Sequence, residues 1–226
     1  MRSLVSFLVL ILLVSCNKSV KDKQAKAVVF KDTIKATNDS VFKVNNILLR
    51  AKIDPEKERL YSLETLDGKV IIEPADYYVN IEILDINEDG FKDIRIFEVS
   101  NTPNQCQNFF FDPKEKLFRK IKGSDLDIKR LPNANLYYSY NRAGCADMNW
   151  ESHLIKIENF EEITIGWMEA HDCNDEDDGI TFYKIVTLDK ILKIDQKPDP
   201  NFEIEGKNNK WNYMENYWMN NYKKYQ

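Results

Sequence analysis

The chain reads ILDINEDGFKDIRI from Ile83 to Ile96, a stretch in which oxygen-bearing and apolar side chains alternate. The oxygen-bearing residues follow the order D-x-N-x-D-G-x-x-D: Asp85, Asn87, Asp89 and Asp93. A tight loop can turn such side chains inward, and Gly90 permits the sharp bend that brings a following carbonyl to an ion. The flanking segments, Tyr78–Leu84 and Ile94–Val99, are rich in Ile, Val, Tyr and Phe, which favours strands. The loop is therefore predicted to join two strands of a β domain.

This spacing predicts a calcium site formed by four side chains and one backbone carbonyl: Asp85, Asn87, Asp89, Asp93 and the carbonyl of Phe91. In an EF-hand loop that starts at Asp85, the last ligand position is Ile96, so the bidentate glutamate is missing. Incomplete coordination predicts a dissociation constant of about 10⁻⁴–10⁻³ M, typical of extracellular modules, and a structural role. A metal-free acidic turn is the alternative, because Asp, Asn and Gly also form turns without an ion.

The N-terminus has the pattern of an export signal. Arg2 precedes an apolar run, Leu4–Val14, that is shorter than the roughly 20 residues of a membrane-spanning helix. The sequence LVSC that ends at Cys16 resembles the lipobox of bacterial lipoproteins. This resemblance implies removal of residues 1–15 and attachment of diacylglycerol to Cys16; an ordinary signal peptide with a chance cysteine is the alternative. Residues 16–39 are interpreted as a polar tether, and we expect the protein at the periplasmic face of the bacterial outer membrane.

Residues 40–226 are predicted to form a single calcium-binding β domain. Short apolar runs alternate with turns, and Asp67-Gly68 between two such runs predicts a hairpin. Few helical patterns intervene, so the fold class is all-β, with antiparallel hairpins in a propeller-like arrangement or a β-sandwich. The C-terminal segment differs, because its aromatic residues and one methionine recur at helical spacing: Trp211, Met214, Trp218, Tyr222 and Tyr225. We predict a short helix that caps the sheet, with a carbohydrate or membrane platform as the alternative.

Three cysteines remain after Cys16, and an exported protein favours a disulfide between two of them. A hairpin that turns at or just after Asn159 places Cys145 and Cys173 opposite each other at its open end. This register favours the pair Cys145–Cys173 over either pairing with Cys106, although a β-bulge would shift it.

The charge pattern bears on partners. A formal net charge of −5 argues against nucleic acid, which requires basic patches. The segment after His171 concentrates five carboxylates: Asp172, Asp175, Glu176, Asp177 and Asp178. These residues are a candidate surface for a basic protein or a second cation, and a solvated loop is the alternative, because they lack the alternating spacing of Asp85–Asp93.

The block from Tyr78 to Phe118 resembles a known calcium-loop family. After the loop come the segments NFFFDP (Asn108–Pro113) and KLF (Lys116–Phe118). The whole block is similar to FG-GAP/VCBS-like repeats and to periplasmic lipoproteins with a propeller-like β fold. That lipoprotein group includes a calcium-binding inhibitor of lysozyme-like effectors, so the resemblance implies the metal ligands named above. No motif here matches an inhibitory loop.

Two functions from different classes follow. The first is a non-enzymatic, calcium-stabilised binding protein whose partner is a basic protein such as a lysozyme, which it inhibits; acidic charge suits a cationic partner. The second is a glycan-acting hydrolase that uses a carboxylate pair, a pattern that an abundance of acidic residues permits without specifying. The sequence contains no nucleophile elbow, phosphate loop, HExxH or nucleotide fingerprint.

Overall fold

The described part of the chain forms three antiparallel sheets followed by a C-terminal helix. The structure, a computed structural model, describes residues 40–54, 56–57, 59–75, 77–171, 173, 179–197 and 207–226. The predicted all-β class with a short terminal helix is confirmed, but in these ranges the sheets close into neither a barrel nor a propeller. No helix in the described ranges is long and apolar enough to span a membrane.

Several predicted features lie outside the described residues. They are the signal peptide, the tether with Cys16, and the carboxylates of the acidic segment: Asp172, Asp175, Glu176, Asp177 and Asp178.

The first sheet is a four-stranded meander. Its strands are β1 (Ser40–Val44), β2 (Ile47–Asp54), β3 (Arg59–Thr65) and β4 (Val70–Ile72). Asn45 and Asn46 make the first turn with φ of 47° and 67°, the positive values that tight hairpin turns require. The predicted hairpin at Asp67-Gly68 joins β3 to β4, with φ of 88° at Gly68.

The second sheet is also a four-stranded meander, and it carries the calcium-type loop. Its strands are β5 (Tyr78–Leu84), β6 (Asp93–Glu98), β7 (Cys106–Asp112) and β8 (Leu117–Lys120). The loop joins β5 to β6, as predicted. This sheet shares one core with the first sheet through side chains that are at most 2% exposed: Leu49, Leu63, Ile81, Ile94 and Ile96. Each such side chain stabilises the fold by about 1.5–3 kcal/mol relative to exposure.

The third sheet has seven strands in the order β15-β14-β13-β12-β10-β9, with β11 also paired to β12. The strands are β9 (Lys129–Arg130), β10 (Tyr137–Tyr138), β11 (Asn141–Gly144), β12 (Asn149–Glu158), β13 (Glu161–His171), β14 (Gly179–Thr187) and β15 (Lys190–Lys197). The second and third sheets share a smaller core that is built from both: Ile86, Phe110, Ile121, Ile128, Tyr137 and Ile155.

The predicted disulfide is confirmed. The hairpin of β12 and β13 turns at Asn159 and Phe160, and Cys145 is bonded to Cys173 with their Cα atoms 6.1 Å apart. A bulge at Leu154 shifts the hairpin register by one residue without separating the two cysteines. Cys106 is buried and unbonded.

The helix α1 (Lys207–Asn221) caps the third sheet, as predicted, and a 3₁₀ turn (Tyr222–Lys224) follows it. Four members of the predicted stripe are buried in the core under the helix: Trp211, Met214, Trp218 and Tyr225. The fifth, Tyr222, is partly buried against the same core. The indole of Trp218 donates a hydrogen bond to the Ser152 hydroxyl at 3.0 Å. Burial of these rings against the sheet explains their spacing, because an amphipathic helix is stabilised mainly by packing.

Gly166 in β13 is a point of close contact between the C-terminal residues and the third sheet. A Cβ atom at this position would overlap the Tyr225 ring and lie 2.7 Å from the Tyr183 carbonyl oxygen. The residues on either side of Tyr225 are also bonded to the sheet. The Lys184 ammonium on β14 donates hydrogen bonds to the carbonyl oxygens of Lys224 and Gln226 at 2.8 and 2.9 Å. Only glycine leaves room for the Tyr225 ring at this position.

We expect Gly166→Ala to lower the free energy of unfolding by about 2 kcal/mol, because the added methyl group overpacks a closed contact. Chemical denaturation of Gly166→Ala, Tyr225→Ala and the double variant measures this. The double variant should lose less than the sum of the two single losses, since removal of the ring relieves part of the clash. Additive losses would contradict the proposed contact.

Candidate metal centre

The side chains of the β5–β6 loop are folded inward onto the loop backbone. The two carboxylate oxygens of Asp85 accept hydrogen bonds from the N–H groups of Asp89 and Gly90 at 3.1 and 3.0 Å. The Asn87 side-chain oxygen also accepts from Asp89 N–H, and Asp89 Oδ1 accepts from the N–H of Phe91 at 2.9 Å. Gly90 adopts φ of 90°, which supplies the sharp bend that the sequence predicts. The alternating side chains therefore converge on one turn.

Asp93 behaves differently from the other predicted ligands. It opens β6 and is fully buried. Its Oδ2 accepts hydrogen bonds from the N–H groups of Ile86 and Asn87, and its Oδ1 accepts from the N–H of Phe111 at 2.9 Å. Burial raises the pKa of Asp93 to about 7, against the opposing effect of these three donors. Asp93 thus closes the loop and joins it to β7.

Two side chains from outside hold the loop in place. Asn45, in the first turn of the first sheet, accepts from Lys92 N–H at 2.9 Å and donates to the Lys92 carbonyl at 2.6 Å. From the third sheet, Arg130 donates to the Asn87 carbonyl and lies 3.6 Å from the Glu88 carboxylate. The loop is therefore the place where all three sheets meet.

The donor chemistry of the loop fits calcium. Asp85, Asn87 and Asp89 offer carboxylate and amide oxygens, and an oxygen that accepts one hydrogen bond keeps a second lone pair for a hard cation. In its present geometry, the described part of the chain brings no three Asp, Glu, His or Cys side chains close enough to bind one ion. A role for Asp93 and the Phe91 carbonyl as ligands stays a prediction, since Asp93 already satisfies three backbone donors.

A second cluster, which the sequence reasoning missed, lies on the solvent-facing side of the third sheet. Glu151 and Glu169 are opposite each other on β12 and β13, and His153 and Trp167 form the next pair on that face. Tyr183 on β14 stacks on Trp167 with ring centroids 4.7 Å apart. We call this the acidic–aromatic face. The alternation of polar residues in β12 hinted at it, but the strand register was needed to bring the pairs together.

Each glutamate of this face has its own partners. Glu151 accepts a hydrogen bond from the Asn141 amide at 2.7 Å and lies 3.7 Å from His153 Nε2. Glu169 accepts from the Tyr183 hydroxyl at 2.7 Å and lies 3.8 Å from His171 Nε2. The neighbouring His153 imidazole lowers the pKa of Glu151. Glycoside hydrolysis requires one carboxyl group with a raised pKa as the proton donor, which Glu151 does not provide.

We expect Asp93→Asn to lower the free energy of unfolding by about 2 kcal/mol or more, because the amide NH₂ faces a buried N–H donor that it cannot satisfy. Denaturant unfolding in calcium-free buffer measures this loss. Asp89→Asn is the matched control: Asp89 is exposed, and the same change there should shift stability by less than about 0.5 kcal/mol. Equal effects of the two substitutions would contradict the role assigned to Asp93.

Comparison with known proteins gives one fold-level similarity. A solved structure described as a Xanthomonas type IV secretion system related protein aligns with a TM-score of 0.50, over 73% of this chain and 97% of that chain. The sequence identity is 12%, so the similarity concerns the fold alone. No family profile matches the sequence, and no curated protein matches it.

Proposed function

We propose that this chain is a non-enzymatic binding protein of the bacterial envelope whose partner is a basic protein such as a lysozyme. The observation that carries the proposal is the acidic–aromatic face, where Glu151 and Glu169 lie directly opposite each other. Like charges that lie directly opposite each other destabilise a sheet. Binding of a cationic side chain between them would offset this repulsion. The Asp172–Asp178 segment follows β13 in the sequence and contains five further carboxylates.

The chemistry of the face suits an arginine or lysine side chain. Glu151 and Glu169 have side chains about one-third exposed (29% and 31%), so a cation can reach both. The Trp167–Tyr183 stack lies beside them and offers a cation–π contact. Tryptophan, tyrosine and arginine dominate the energy of protein interfaces. A cationic partner is therefore steered to this face by charge and held there by the rings.

In this proposal the β5–β6 loop binds a calcium ion that has a structural role. Calcium neutralises the carboxylates of Asp85 and Asp89, which otherwise repel each other in one turn. The loop contacts both neighbouring sheets through Asn45 and Arg130, so its order is transmitted to the sheet that carries the acidic–aromatic face.

We also propose the cellular setting and the finer architecture. The chain is anchored through a diacylglycerol on Cys16 at the periplasmic face of the outer membrane, with residues 16–39 as the tether. Its sheets are blades of an open, propeller-like arrangement. This is supported by two consecutive four-stranded meanders and by the cores that join successive sheets.

Calcium is expected to bind the wild-type protein and to stabilise it. At tenfold excess over the dissociation constant, the gain is about 1.4 kcal/mol. Isothermal titration of wild type and Asp89→Ala measures this, and the variant should lose most of the binding heat. Absence of heat with both proteins would refute the calcium site.

The acidic–aromatic face is tested with a basic lysozyme as the probe. Glu151→Gln together with Glu169→Gln should weaken binding about tenfold, and added salt should weaken the wild type further. The control is Glu158→Gln with Glu161→Gln, the same change of net charge at the far end of the hairpin, where these residues pair with Lys156 and Lys122. Equal weakening of lysozyme binding by both double variants would show that binding depends on the overall charge of the protein and not on the acidic–aromatic face.

Lysis assays test the inhibitor version separately. The purified mature domain should slow lysis by at least one type of lysozyme. Undiminished lysis across a panel of lysozyme types would refute inhibition while leaving a binding role open to the titration above.

A further inference from the structure

The hairpin of β14 and β15 extends beyond the third sheet. β13 pairs with β14 only as far as Gly166, which lies opposite Lys184. Past Lys184, the rest of β14 pairs with β15 alone among the described residues, for example Ile185 with Ile191. We call residues 185–192 the projecting hairpin. A two-stranded ribbon has water on both faces, so burial in a core does not explain the choice of its side chains.

The projecting hairpin is rich in exposed apolar side chains. Leu188 lies in the two-residue turn at its tip and is 98% exposed. Val186, Ile191 and Leu192 are also exposed, and Ile185 lies directly opposite Ile191. Single exposed apolar residues are common on protein surfaces, whereas a contiguous group of them marks a contact surface.

Lysines surround the base of the projecting hairpin. The Lys184 ammonium holds the C-terminal residues against β14 through the Lys224 carbonyl, which brings a second basic segment to this end of the sheet. Six lysines lie in residues 184–197 and 223–224: Lys184, Lys190, Lys193, Lys197, Lys223 and Lys224. With the two aspartates of the same ranges, the local net charge is +4, in a chain whose formal net charge is −5.

The acidic groups near the projecting hairpin are few or already paired. Asp189 lies in the turn at the tip, and Asp195 lies on β15 opposite Phe182. The β12–β13 turn lies at the same end of the sheet, and there Glu158 and Glu161 form ion pairs with lysines at 2.4–3.3 Å. The region therefore has the charge that suits an anionic surface.

A second copy of the chain does not suit the projecting hairpin. β15 is the edge strand of the third sheet in the described part of the chain, so its open edge could pair with another strand. However, half of its eight residues are lysine or aspartate that alternate with apolar residues, and the register shifts at Ile194. Charged side chains and bulges on an edge strand are the features that prevent edge-to-edge pairing.

The composition of the projecting hairpin favours a lipid surface over a protein partner. Residues 185–192 contain no Trp, Tyr or Arg, the residues that dominate the energy of protein interfaces, and lysine is depleted in such interfaces. Apolar side chains next to lysines are the combination that binds membrane surfaces, through buried apolar area and attraction to anionic headgroups.

We infer that the projecting hairpin is a membrane contact, which inserts Leu188 and its apolar neighbours into an anionic bilayer while the lysines at its base contact the headgroups. Insertion reaches the boundary of headgroups and acyl chains, about 5–10 Å deep. Asp189 limits the depth, because a carboxylate is costly in the hydrocarbon core. This inference goes beyond the proposed function, since it requires neither the acyl chain on Cys16 nor the acidic–aromatic face.

The test uses the mature chain, residues 16–226, with Cys16→Ser, so that no acyl chain contributes to membrane binding. Co-sedimentation measures its binding to vesicles of phosphatidylglycerol with phosphatidylethanolamine, and to vesicles of phosphatidylcholine. The chain should bind the anionic vesicles more tightly. Leu188→Gln together with Ile191→Gln should weaken this binding about tenfold or more, because the apolar contact is lost.

Val41→Gln together with Val70→Gln is the matched control. Val41 and Val70 are exposed apolar residues on the two edge strands of the first sheet, so the same change of polarity there should leave vesicle binding unchanged. Lys190→Gln and Lys193→Gln should each weaken binding about fivefold, and only on anionic vesicles.

A tryptophan at the tip reports insertion directly. The emission of Leu188→Trp should shift to shorter wavelength when anionic vesicles are added, since the indole enters an apolar environment. The emission of Val41→Trp should stay constant. Equal emission changes of the two variants would contradict insertion at the tip.

Four other results would overturn the inference. They are no binding to anionic vesicles, equal binding to phosphatidylcholine, equal losses in the two glutamine double variants, and undiminished binding of Leu188→Gln with Ile191→Gln. In the last case the lysines of the tether would explain the binding. Sedimentation velocity adds a further check, because a dimer that this double variant abolishes would assign the hairpin to a second copy instead.

Lysozyme binding separates this inference from the proposed function. It should be unchanged in Leu188→Gln with Ile191→Gln, because the acidic–aromatic face is intact. Loss of lysozyme binding in this double variant would assign the projecting hairpin to a protein partner and overturn the membrane contact.

Discussion

The buried carboxylate of Asp93 is the interaction on which the centre of this structure depends. Its oxygens collect N–H groups from the start of the loop and from β7, so one side chain sets both the loop conformation and the register of β6 beside β7. A carboxylate is suited to this position because it accepts several hydrogen bonds and donates none. The positions of the other oxygen-bearing side chains of the loop therefore depend on the Asp93 carboxylate.

The same loop is where the parts of the molecule are joined. Asn45 reaches it from the first sheet and Arg130 from the third, each through backbone atoms of the loop. The two cores on either side are shared between successive sheets. A change of loop conformation therefore strains contacts in both directions, which is why we treat the loop as a structural element and assign recognition to the surfaces beside it.

Local features of this fold could be predicted from the sequence, because turn chemistry and periodicity act over a few residues. Asp67-Gly68, the strands around the loop, the Cys145–Cys173 pairing and the C-terminal stripe are of this kind. The burial of Tyr137 depends on the packing of two sheets, and the pairing of Glu151 with Glu169 depends on the bulge at Leu154; one sequence reveals neither. Asp93 shows most clearly what spacing alone cannot predict. Its position in the motif predicts a fourth metal ligand, whereas in the structure it accepts a hydrogen bond from the N–H of Phe111, 18 residues away, and joins the loop to β7.

The meander topology also bears on how the protein folds. The first two sheets use consecutive strands joined by short turns, so their contacts are local in sequence and form rapidly. The largest core is different, because residues 207–226 must return to strands that begin at Asn149 before Trp150 and Phe182 are covered. Until that docking occurs, an apolar sheet face is open to association with other chains. The covalent link at Cys145, which spans 28 residues within this sheet, restrains it during that interval.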